Sequence, residues 1–108
     1  MHIDPEQNRK RFLLESEQLA RDANRKIIHE RIPKLTKNSI LAFAVTVARL
    51  RARYLEAAFR LSAFDLNEPV EEDDFNELQR YRELYEESRS AYEAIQSAIE
   101  HGYVDIDE

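Results

Sequence analysis

A chain of 108 residues with 43% hydrophobic and 35% charged residues, one Gly and three Pro lies in the globular range, and its composition suits long helices rather than β-structure or disorder. Lacking any Cys, it holds no disulfide, no thiolate nucleophile and no Cys-ligated zinc. Its net charge of −6 weighs against nucleic acid as the partner.

Taken in chain order, Asp4-Pro5-Glu6 has the form of a helix start. Asp accepts hydrogen bonds from the free N–H groups, Pro is tolerated at the first helical position, and Glu suits the positive end of the macrodipole. A first helix is predicted over about 5–31, ended by Pro33, which disfavours α geometry in the residue before it. Phe12, Ser16, Leu19 and Ala23, with Leu13, Ala20 and Ile27 beside them, mark its inward face, whereas Leu14 and Ile28 fall on the outward side.

Residues 36–39, Thr-Lys-Asn-Ser, offer caps for a second helix over about 37–64 that contains neither Gly nor Pro. Ile40, Phe43, Val47, Leu50, Tyr54, Ala57, Leu61 and Phe64 form one 3-4 stripe, and Leu41, Val45, Ala48, Ala52, Leu55 and Phe59 form a second beside it. Together they cover an arc of roughly 200°, about twice what a surface helix of a small domain needs. The second helix is thus expected to be the central element, touching more than one neighbour. Since two neighbours in a three-helix chain cover such an arc only partly, the second stripe is a candidate interaction face.

The residues Asp65-Leu66-Asn67-Glu68-Pro69 read as a turn, and Glu71-Glu72-Asp73-Asp74 suit the start of a third helix over about 70–101. Phe75, Leu78, Tyr81, Tyr85, Ser88, Tyr92, Ile95 and Ile99 make its inward row, flanked by Leu84, Ala91 and Ala98, and Gly102 is the expected C-cap. Tyr103 to Glu108 read as a short tail. Short connections between long helices predict an all-α, antiparallel, up-down-up bundle of three helices in a single domain over residues 1–108.

Residues 1–64 carry 13 Lys or Arg against 7 Asp or Glu, and residues 65–108 carry 3 against 15. In an antiparallel bundle such opposite charges meet across helix edges, which is the simplest reading of the asymmetry. Arg49, Arg53 and Arg60 lie on the narrow polar strip of the second helix, an arrangement able to grip phosphates, but Glu56 is spaced to pair with Arg53 and Arg60. The acidic run has a second reading as a Mg²⁺ site of the kind used by all-helical nucleotide pyrophosphohydrolases. Their E-E-x-x-E and later E-x-x-D pattern is not met, since Phe75 stands where a third Glu belongs and Ser88-Arg89-Ser90 follow Glu86-Glu87. Neither His29 nor His101 has the spacing of a helix-bundle metal ligand, so no metal and no cofactor are expected.

The reading that follows is a non-catalytic helical interaction module that homodimerises into a larger bundle and meets a further protein partner. A metal-dependent nucleotide hydrolase using third-helix carboxylates and a nucleic-acid-binding regulator using second-helix arginines are the alternatives. The opening residues lack the apolar stretch of a secretory signal, and the longest uncharged run, Asn38 to Ala48, falls short of the roughly 20 residues a membrane span needs. A cytoplasmic protein is therefore expected.

Overall fold

The computed structural model describes residues 4–32, 34–62 and 69–107. The fold is all-α, with three long helices: α1 (Pro5–Arg31), α2 (Lys37–Ser62) and α3 (Glu72–Glu100). Two short strands, β1 (Leu35–Thr36) and β2 (Ile106–Asp107), complete the elements. Predicted and observed helix bounds agree to within two residues wherever the chain is described. Pro33, Phe64, the predicted turn at 65–68 and Glu108 lie outside the described residues.

Two compact units divide the chain. One runs over residues 37–96; the other joins the residues up to Thr36 with those from Ser97 onward.

The first unit is a helical hairpin. Phe43 stacks on Tyr92 with ring centroids 5.7 Å apart, Tyr54 stacks on Tyr85 at 6.0 Å, and Arg60 reaches Glu77 at 3.3 Å. Partner numbers on α3 fall as those on α2 rise, so the two helices run antiparallel. The first stripe of α2 faces this seam: Val47 and Ala57 are buried, and Ile40, Phe43, Leu50, Tyr54 and Leu61 are half-buried. Leu78, Tyr81, Tyr85, Ser88, Tyr92 and Ile95 are the half-buried row on α3, as their spacing predicts. Phe75 departs from that row and is exposed, because it sits in the first turn, where the 3-4 repeat has not yet begun. Glu71 precedes the helix, its carbonyl accepting from the Asp74 N–H at 3.1 Å, and Glu72, Asp73 and Asp74 occupy the turn where the macrodipole favours them.

The second unit is organised differently. Asp4 caps α1, its Oδ1 accepting from the Glu6 N–H at 3.0 Å with Pro5 at the first helical position. At the other end of the unit, α3 closes in a left-handed turn at Gly102, whose φ is +73°. The Tyr103 N–H donates to the Ala98 carbonyl at 2.9 Å and the Gly102 N–H to the Ile99 carbonyl at 3.0 Å. This pair of bonds is a Schellman cap, which satisfies carbonyls the helix end would otherwise orphan.

Beyond the cap, the segment expected to be a tail is ordered by pairing. β2 lies parallel to β1 with Leu35 opposite Ile106 and Thr36 opposite Asp107, and the Leu35 N–H donates to the Asp105 carbonyl at 3.3 Å. Lys34 Nζ meets Asp107 at 2.7 Å, Arg25 Nη2 meets Asp105 at 3.5 Å, and Arg25 Nη1 donates to the Gly102 carbonyl. Val104 is 5% exposed. The tail reading is thus corrected: an apolar side chain and a ladder of backbone and side-chain bonds hold residues 102–107.

On α1, Ile28 is half-buried, whereas Phe12, Leu13, Leu19 and Ile27 are exposed. At 100° per residue, Arg25 and Ile28 lie roughly 120–180° around the helix from the centre of the Phe12 stripe. The C-terminal segment grips the helix through Arg25, on that opposite side.

Candidate functional site

The second stripe of α2 is the largest candidate site in the hairpin. Residues 41, 45, 48, 52, 55 and 59 recur at 4-3-4-3-4 spacing, so they share one face, turned well away from the stripe that meets α3. All six are exposed, and the large ones strongly so: Leu41 54%, Val45 47%, Leu55 58% and Phe59 74%. Isolated exposed leucines are ordinary on a protein surface, but a continuous apolar row along five turns of one helix is not. Small residues, Ala48 and Ala52, occupy its middle.

The arginines of α2 have separate surroundings. Arg60 is engaged twice, by Glu56 at 2.9 Å along its own helix and by Glu77 of α3 at 3.3 Å. These three, with Arg53, Ala57 and Tyr81, line a shallow hollow along the helix seam. Arg49 is exposed on the same strip. Arg51, which the sequence pattern did not place among the candidate anion-binding residues, also makes a cross-helix contact. Its Nε donates to the Tyr85 hydroxyl at 3.0 Å, and its guanidinium stands 5.2 Å from the Tyr85 ring centroid, with Arg89 5.9 Å from the same ring. In the sequence the available signal was that Arg51 follows Leu50 of the first stripe, which becomes meaningful with Tyr85 opposite. Tyr81, Tyr85 and Tyr92 are all half-buried along the seam, and the Tyr85 hydroxyl has Arg51 as its polar partner.

Among the described residues, no three of His, Asp or Glu gather closely enough to share a cation. His101 is occupied locally: its Nδ1 lies 2.7 Å from the Ser97 carbonyl, and its ring stacks on Tyr103 at 5.3 Å. His29 is exposed beside Asp22, Arg25, Lys26 and Asp105, the last two turns of α1 and the chain segment that grips them. No described helix is long and apolar enough to cross a membrane. Compared with known proteins, the chain matches no family model, no curated protein and no solved structure.

Proposed function

We propose that this chain is a non-catalytic helical interaction module that acts as a homodimer, assembling a larger helical bundle and serving as an adaptor, regulator or chaperone-like partner in the cytoplasm. The observation that carries the reading is the continuous exposed row on α2, Leu41, Val45, Ala48, Ala52, Leu55 and Phe59, on a helix whose other stripe is already used against α3. Among the described residues only Val47, Ala57 and Val104 are buried, so the chain has much apolar surface still to gain by association.

Light scattering and sedimentation across a concentration series test the reading, which expects a dimer at tens of micromolar. A strictly monomeric protein over that range would refute it. Phe59→Ser should weaken association while leaving helix content unchanged, because the side chain is exposed in the single chain. The nucleic-acid alternative draws less support, since Arg60 is already held by two carboxylates. The hydrolase alternative rests on acids that sit where helix-start electrostatics alone would put them.

A further inference from the structure

We infer that the hairpin holds a small organic phosphate monoester, its phosphate between Arg51 and Arg89 and its apolar body in the hollow those two arginines line. The site lies within the α2–α3 hairpin and does not rest on the dimer reading.

Two cations from different helices are gathered on one ring. The Arg51 guanidinium of α2 stands 5.2 Å from the Tyr85 ring centroid, and that of Arg89, one turn beyond Tyr85 on α3, stands 5.9 Å from the same centroid. The ring is itself fixed, since it stacks on Tyr54 at 6.0 Å and its hydroxyl accepts from Arg51 Nε at 3.0 Å. Cation–π contact and this bond restrict two long side chains before any ligand arrives, which lowers the ordering cost of binding. The bond uses only Nε of Arg51, so both of its terminal nitrogens remain as donors.

Neither guanidinium has a carboxylate to neutralise it. Among the described residues the arginines in ion pairs are Arg11, Arg25 and Arg60. For Arg51 the reason is local: the helical neighbours three and four positions away are Val47, Ala48, Tyr54 and Leu55, so α2 offers it no acid. Arg89 has Glu86 and Glu93 at helical spacing, yet pairs with neither. Two like charges on one ring repel, and an oxyanion between them turns that repulsion into two attractions. Guanidinium presents paired N–H groups that match phosphate oxygens, and a doubly charged monoester answers two cations better than a single carboxylate does.

The same two arginines line an open hollow of about 410 Å³ along the seam, a size suited to a small molecule. Its inner lining is apolar: Val47 is buried, and Ala44 and the Tyr92 ring are half-buried, the latter stacked on Phe43. Its outer lining, with Arg51, Arg89 and Glu93, is exposed and charged. A ligand that satisfies both has a phosphate at one end and a flat apolar body at the other. The net charge of −6 disfavours a long polyanion, but a small anion responds to charges within about 10 Å, where the two arginines face one acid.

Phenyl phosphate titrated into the full chain and followed by proton–nitrogen NMR tests the site. The Nε–H signals of Arg51 and Arg89 should move together and saturate at millimolar ligand, and inorganic phosphate should bind about tenfold more weakly because it has no apolar body to bury. Arg51→Gln and Arg89→Gln should each weaken binding about fivefold, whereas Arg49→Gln, on the same helix but outside the hollow, should leave it unchanged. Glu93→Gln should tighten it about twofold by removing the one acid of the rim. Arg89→Gln leaves the Arg51–Tyr85 bond in place, so it tests the site even if Arg51→Gln loosens the seam.

Stationary Arg51 and Arg89 signals at about 10 mM phenyl phosphate would overturn the site. Equal weakening by Arg49→Gln would overturn it too, by showing a diffuse response to positive charge. Inorganic phosphate binding as tightly as phenyl phosphate would overturn the role of the hollow. Each outcome reads the same in a monomer as in a dimer, so the result is separate from that of the association experiments.

Discussion

The two units of this protein are held together by different physics. In the hairpin, α2 and α3 meet along a seam whose residues repeat at 3-4 spacing on both sides, and each stacked ring pair joins positions that periodicity already marks as inward. In the unit formed by α1 and residues 97–107, cohesion comes from a helix cap, two paired residues of strand, one buried Val and a few ion pairs to a short segment. The hairpin spreads its stability over many half-buried contacts, whereas the other unit concentrates it in a few. Single substitutions should therefore be felt more sharply in the second.

Val104→Asp would place an unpaired carboxylate at a site only 5% exposed, at a cost of about 3 kcal/mol. Denaturant titration followed by hydrogen exchange should show residues 35–36 and 105–107 losing protection first. Equal loss of protection throughout the hairpin would mean that the two units do not differ in this way.

Tyr85→Ala removes a half-buried ring, its stack on Tyr54 and the acceptor for Arg51, and should cost about 2 kcal/mol in the same titration. Tyr85→Phe keeps the ring and loses only the hydroxyl contact. It should cost about 1 kcal/mol, separating packing from polar bonding in the seam.

Gly102→Ala should cost about 1 kcal/mol, because only Gly adopts φ of +73° without strain. An added Cβ would meet nothing closer than Arg25 Nη1 at 3.9 Å, so the effect is of the backbone and not of crowding. Arg60→Ala is the small end of the scale. Both of its ion pairs are solvent-exposed, and thermal melting should move by less than about 0.5 kcal/mol allows.

Much of the hairpin was legible in the sequence, for the same reason that it is stable. A helix seam is written every three or four residues, and Ile40, Phe43, Val47, Tyr54 and Ala57 declare it before any partner is known. The excess apolar face at Leu41, Val45, Leu55 and Phe59 was legible in the same way, as an arc wider than one neighbour requires. Helix starts and stops were equally local: Asp4 and Gly102 act on bonds within five residues of themselves.

The clasp around residues 102–107 was not legible, although Val104-Asp105-Ile106-Asp107 does alternate apolar and acidic residues as a short strand would. Two paired residues are too few to outweigh the prior that a chain end is loose. Their partner, Leu35–Thr36, lies about 70 positions away in sequence, beyond the reach of any local pattern.

By itself, the sequence determined three helices, their limits and which stripe of α2 and of α3 faces inward, because those properties depend on spacing and caps within a few residues. Only the tertiary structure decided that Arg25, Lys34 and Val104 belong to one clasp and that Arg51 finds Tyr85. Each of those depends on residues far apart in the chain, and hydrophobic spacing records that a face will be buried without recording against what.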